Sequence, residues 1–115
     1  MGTTDRSRVV HLADAAAQIP GPAGENAVGV LQHGTLDVKL SFPLRPNVQT
    51  PHEQDEIYVV MRGHGVLMHE GERTPFVAGD LLFVNAGVDH RFEDASDDFA
   101  VWRIFYGPPG GEPVS

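Results

Sequence analysis

Along most of this chain hydrophobic and polar positions alternate with period two. In Thr35-Leu-Asp-Val-Lys-Leu-Ser-Phe42 every second residue is apolar, which predicts a half-buried strand. Glu56-Ile-Tyr-Val-Val-Met61 is rich in β-branched and aromatic side chains and predicts another. Gly65–His69, Leu81–Val84, His90–Glu93 and Phe99–Tyr106 predict four more. Turn residues separate them at Arg62-Gly-His-Gly65, Glu70-Gly71, Ala78-Gly-Asp80 and Ala86-Gly87. No stretch of about ten residues or more carries the 3.6-residue period of a helix.

Many short strands with glycine-bearing turns predict an all-β domain, a sandwich or a barrel. One open sheet of so many strands would leave a face and two edges exposed, and closure into a jelly roll removes both problems. Patterning alone does not separate a jelly roll from an immunoglobulin-like sandwich. The ends of the chain read differently. Residues 1–27 form an N-terminal arm, with a short strand over Val9–Leu12, a helical turn within Ala13–Gln18 and a loop over Gln18–Gly24. Residues 28–106 form the barrel, and residues 107–115 form a flexible Gly/Pro-rich tail that cannot join a ladder.

Length and charge narrow the function classes. The 115 residues fit one domain. Cysteine is absent, which removes thiolate metal sites and thiol nucleophiles and fits a reducing cytosol. Eight basic residues against 16 acidic ones give a net charge of −8, which argues against nucleic acid and against anionic membrane surfaces. No basic segment followed by an apolar stretch opens the chain, and no apolar run approaches the roughly 20 residues of a membrane span. The expectation is a cytoplasmic domain with no nucleic-acid and no membrane partner.

Of the six histidines, His11, His33 and His69 carry no motif, and His64 between two glycines reads as an exposed turn residue. His52 has company, because a carboxylate-rich bend follows it and leads into the apolar strand that Glu56 opens. Glu56 shares parity with Tyr58 and Val60. It either faces the interior with them, where an ion would keep it charged, or lies at the solvated mouth with Glu53 and Asp55. His90 opens a strand just after the Ala86-Gly87 turn, at a barrel mouth or inner wall. Phe92 shares its parity, which favours an inward ring. Trp102 and Arg103 must face opposite ways on one strand. Arg103 could bind an acidic substrate group, and a place in the core or at a dimer surface is the simpler reading for either residue.

The two segments resemble the two motifs of the cupin superfamily. The first family motif, G-x5-H-x-H-x3,4-E-x6-G, is met by His52, three residues, Glu56, six residues and Gly63. The second, G-x5-P-x-G-x2-H-x3-N, is met by Gly79, Asn85, Gly87, His90 and Asp94 at the matching intervals. Together they cover residues 50–94. Asn85 and Asp94 depart from the pattern at turn or strand positions, and Thr50 stands where the family has its first histidine. A register with His52 as that first histidine and Gln54 in the second place spoils the spacing to Gly63.

The resemblance implies a cupin jelly-roll β-barrel with one divalent metal (Fe, Mn, Ni or Zn) held by His52, Glu56 and His90. Two imidazoles and a carboxylate resemble the facial triad of non-haem iron sites. A small metal-dependent enzyme acting on a small molecule is implied, an oxygenase first and an isomerase among the alternatives, with Tyr58 and Gln54 as catalytic partners. The alternative is a non-catalytic barrel that binds a small molecule without essential metal. Small cupins of this length commonly dimerise, so a homodimer is expected, with the Val9–Leu12 strand adding to the partner's sheet.

Overall fold

The computed structural model describes residues 6–44 and 51–113. Eight strands form two antiparallel sheets. They are β1 (Ala27–His33), β2 (Leu36–Ser41), β3 (Asp55–Arg62), β4 (His64–His69), β5 (Glu72–Val77), β6 (Leu81–Val84), β7 (His90–Glu93) and β8 (Ala100–Tyr106). One sheet has the order β1-β2-β8-β3-β6 and the other β5-β4-β7. The two face each other as a jelly roll, and among the described residues no ladder joins their edges. The six strands expected from the alternation are all present.

β1 and β5 lie outside that expectation, and each hides its pattern for a physical reason. β1 carries Gly29, and its register against β2 shifts between Gly29 and Leu31, so the alternation breaks at an irregularity. β5 contains Pro75, which cannot donate to a ladder, and β5 is accordingly an edge strand paired only with β4. The expected strand over Val9–Leu12 does not form. Leu12–Ala16 is a short helix, α1, whose alanines favour helix and whose Ala15 is buried as it packs on β2.

The core lies between the sheets. Tyr58 and Val60 from β3, Leu67 from β4, Phe76 from β5, Val84 from β6, Phe92 from β7 and Val101 from β8 meet there with Phe99. The Phe92 ring centroid is 4.9 Å from those of Phe99 and Tyr58, edge to face in both cases. Sharp returns of the chain make this packing possible. Gly63, between β3 and β4, has φ 84°, and a Cβ there would lie 2.3 Å from Ser96 Oγ and 3.0 Å from Phe99 Cα. Asp94 sits at φ 53°, a left-handed conformation that asparagine and aspartate tolerate better than most residues.

The segment after β8 joins no sheet but is tied down. Gly107 N donates to Thr35 Oγ1 (3.0 Å), Gly110 N to Glu53 O (2.7 Å) and Glu112 N to Asp55 Oδ2 (2.9 Å). Asp55 is buried, and its other oxygen accepts from Ala86 N at 2.9 Å. One carboxylate thus fastens the tail and the β6–β7 turn to the start of β3, which is where the candidate site lies.

Candidate metal centre

Glu56 is the second residue of β3, on the face it shares with Tyr58 and Val60, and its side chain is only 1% exposed. The interior position is therefore the one it takes. Register brings the partners to it. Glu56 lies opposite Phe105 of β8 and Tyr58 opposite Arg103, so all four side chains project from the same face of the sheet. His90 opens β7 in the facing sheet and is buried. His52 precedes β3, and its carbonyl accepts from Gly87 N at 2.8 Å, which locks it to the turn before His90.

The candidate ligand atoms of His52, Glu56 and His90 lie within 4.8 Å of one another. Glu56 Oε1 is 3.4 Å from His90 Nε2 and 3.7 Å from His52 Nε2. It is buried and has no hydrogen-bond partner. Ligands sharing one ion at about 2.0–2.2 Å sit roughly 3–3.5 Å apart, so small side-chain adjustments suffice. An orphaned buried carboxylate oxygen is costly, and a cation between the two imidazoles would satisfy it. The donor set therefore fits a divalent ion.

The hydrogen-bond partners set the tautomers. Val88 O can only accept, so His90 Nδ1 (2.9 Å away) carries a proton, and in the neutral ring Nε2 keeps its lone pair toward the site. Tyr58 Oη is 3.1 Å from that Nε2. Arg103 can only donate, so its Nη2 contact of 3.3 Å makes His52 Nε2 the acceptor. Arg103 Nε donates to Glu56 Oε2 at 3.1 Å, and its guanidinium lies 5.1 Å from the Phe105 ring centroid.

Charge states follow from burial and neighbours. Burial lowers the pKa of His52 and Arg103 adds to this, against the pull of Glu56, so the ring is held neutral below its ordinary range. Burial opposes ionisation of Glu56, but His90, Arg103, Tyr58 and His52 outweigh it and hold the carboxyl below its usual value. Burial also opposes charging of His90, while Glu56 and the Val88 carbonyl prevail and raise it.

Of the other sequence candidates, Tyr58 is fully buried within the group. Gln54 Nε2 donates to Gly107 O (2.9 Å) and Thr35 O (3.3 Å), which ties the His52 loop to the segment after β8. Thr50 lies outside the described residues. Arg103 is the inward member of its pair with Trp102, and its parity with Val101 and Phe105 was the signal available for it. A cleft of about 450 Å³ opens beside His52, lined also by Gln54, Phe105, Asp37 and Glu53.

Comparison with known proteins adds the family. A model of the cupin domain matches residues 44–106, more than half of the chain. The chain is a cupin. A curated relative, the uncharacterized protein SCO3923 of Streptomyces coelicolor, is 38% identical over 60 residues, covering 52% of this chain and 57% of the relative. The matched region thus spans little more than half of that relative's length. A cupin superfamily protein from Desulfitobacterium hafniense shares the fold with a TM-score of 0.63 at 19% identity, over 91% of this cupin and 95% of that chain. A cupin-2 domain containing protein from Shewanella frigidimarina does so with a TM-score of 0.65 at 15% identity, over 88% and 94%. Among the described residues, no helix of this cupin is long and apolar enough to cross a membrane.

Proposed function

We propose that this cupin is a metal-dependent enzyme acting on a small molecule, with His52, Glu56 and His90 holding one divalent ion. The observation that carries this reading is the convergence of two imidazoles, His52 and His90, on the orphaned, buried Glu56 Oε1. Two imidazoles and a carboxylate suit Fe, Mn, Ni or Zn, and three protein ligands are the pattern of a catalytic rather than a closed structural site. A divalent ion bound there would supply Lewis acidity toward a substrate oxygen, water or dioxygen.

The chain's own residues supply orientation and protons. Val88 O fixes the His90 ring, and Arg103 donates to Glu56 Oε2 and leaves Oε1 open. Tyr58 places its hydroxyl 3.1 Å from His90 Nε2, within reach to give a hydrogen bond or a proton at the site. The cleft beside His52 has the volume of a small-molecule pocket and gives access. Gln54 forms part of its wall. An oxygenase is the first reaction class to test, on the ligand set alone, because the fold hosts many chemistries.

A second reading, a barrel that binds a small molecule without metal, is favoured by Arg103, which already satisfies Glu56 Oε2 and His52 Nε2. Elemental analysis of the purified protein separates the two. Near one equivalent of a transition metal, lost in His52→Ala, supports the enzyme and leads to oxygen-uptake assays with and without chelator. No metal after reconstitution with Fe, Mn, Ni and Zn sinks it.

The partner we propose is a second copy of this chain, docked on the outer face of the larger sheet. There Val38, Ile104, Ile57 and Phe83 form one cross-strand row and Trp102, Val59 and Leu81 the next, which ends at the fully buried Leu40, with no charged residue in either. Leu81 is 63% and Phe83 46% exposed. Such a patch is what a homodimer covers. A monomer by light scattering at micromolar concentration would overturn this.

A further inference from the structure

We infer that Arg103 competes with the metal for this site, resting in the ion-free protein as an internal cation that a divalent ion must partly displace. The inference builds on the proposed metal reading and assigns what sets the affinity.

Three observations carry it. Arg103 lies on two of the three ligand residues, with Nε on Glu56 Oε2 and Nη2 on His52 Nε2. The His52 contact uses the lone pair that an ion would need, because arginine has no acceptor and the imidazole nitrogen must take its hydrogen. Its charge balances Glu56 in a site where the carboxylate and His90 are both buried. An ion entering beside Glu56 would bring two positive charges against one carboxylate and one guanidinium, leaving a net positive charge in a partly dry pocket. Lys39 adds to this. It pairs in register with Arg103 across β2 and β8, and Asp37, 4.0 Å away, offsets it in part.

The contact geometry divides the arginine's two roles. Through Nε it holds Oε2 and leaves Oε1 as the oxygen offered to an ion. Through Nη2 it blocks His52. Glu56 is held in the interior by β3 itself, so removing the guanidinium costs little orientation and removes both the block and the like charge. Tyr58 approaches His90 Nε2 in the same way and also supports the Glu56 carboxylate, but it is uncharged, and its replacement removes no charge from the site.

The test is metal affinity, read without any enzymatic assay. Co²⁺ and Zn²⁺ are titrated into the metal-free full chain in competition with a chromophoric chelator, for the wild type, Arg103→Met and Arg103→Gln. Thermal melting of each variant verifies folding. Two like charges a few Å apart in such a site correspond to at least about a tenfold difference, so both variants should bind at least that much more tightly than wild type. Glutamine retains a donor for Glu56 and serves if the methionine variant fails to fold. A merely structural role for Arg103 predicts weaker binding in both variants, and unchanged or weaker binding overturns the inference. Binding by a variant but not by wild type supports it in its strongest form. If wild type and both variants all fail to bind, the metal reading falls, and this inference with it. If wild type binds and the variants bind no better, only this inference falls.

Discussion

At one end of the barrel interior Phe76, Phe92 and Phe99 pack ring against ring, with centroids 4.9 to 5.8 Å apart. At the other, Glu56, His52, His90 and Arg103 meet around one buried carboxylate. The same strands build both ends. β7 supplies His90 and, two residues on, Phe92. β3 supplies Glu56, then Tyr58, then Val60. Tyr58 marks the seam, with its ring against Phe92 and its hydroxyl against His90. The difference teaches what an interior needs in order to hold charge. The aromatic end is stable through area and shape. The polar end is stable only if its buried donors and acceptors find partners. Among the described residues two buried side-chain oxygens have none, Asp37 Oδ1 at the cleft wall and, as the exception within this group, Glu56 Oε1. The exception points to a ligand.

The comparison can be broken from the aromatic side first. Phe92→Ala should destabilise the fold by about 3–5 kcal/mol through the cavity it leaves, measured by urea unfolding. The site should suffer only indirectly, so metal affinity in the folded fraction should stay within a few-fold of wild type. The reverse pattern is expected for His90→Ala. Metal affinity should fall at least about a hundredfold by chelator competition, as one of three ligands is lost. Comparable metal binding in that variant would remove His90 from the ligand set.

Asp55 tests whether the polar end depends on its fastening. Its two oxygens hold Ala86 N and Glu112 N. Asp55→Ala leaves both donors without their carboxylate and should cost about 1–3 kcal/mol in unfolding free energy. It should also weaken metal binding by less than the loss of a ligand would. A change within experimental error would mean that water replaces the carboxylate.

The smallest effect expected is a pH dependence, and its sign follows from the shifted groups. In the metal-free protein Glu56 and Val88 raise His90 against the effect of burial, whereas burial lowers His52. Protons therefore compete for His90 first as pH falls. Metal affinity should begin to drop above about pH 6.5, close to tenfold per pH unit for the one proton, and more steeply only at lower pH when His52 joins. Above the ordinary imidazole value the metal-free fold shows the opposite trend, and below it the lowered His52 works against that trend. A raised His90 stabilises the fold fully below the ordinary imidazole value and less as pH rises through the shifted one. Glu56, held low, keeps its contribution until pH drops below the ordinary carboxylate value. Chelator competition and thermal melting above about pH 6.5 read the two trends, and parallel trends there would contradict the assignment.

Much of this was written in local pattern. Period-two alternation located six strands, because a strand's side chains alternate faces whatever it pairs with. The parity of Glu56 with Tyr58 and Val60 left two possible positions, and the spacings from His52 to Gly63 and from Gly79 to Asp94 carried the family resemblance. The same logic failed where a strand departs from its ideal, at Gly29 in β1 and at Pro75 in β5. It also misread Val9–Leu12, where the helix preference of Leu12–Ala16 and the burial of Ala15 prevailed.

What the sequence determined by itself was six of the eight described strands, the turns that bound them and the three candidate ligands with their intervals. Tertiary structure decided which of Trp102 and Arg103 faces inward, and that Arg103 meets Glu56 from 47 positions away. It also decided that Asp55 gathers the tail and the β6–β7 turn. The physical reason is that local pattern constrains a residue's neighbours along the strand. Contacts across strands depend on pairing register and on how the two sheets stack, and those are settled by the whole core at once.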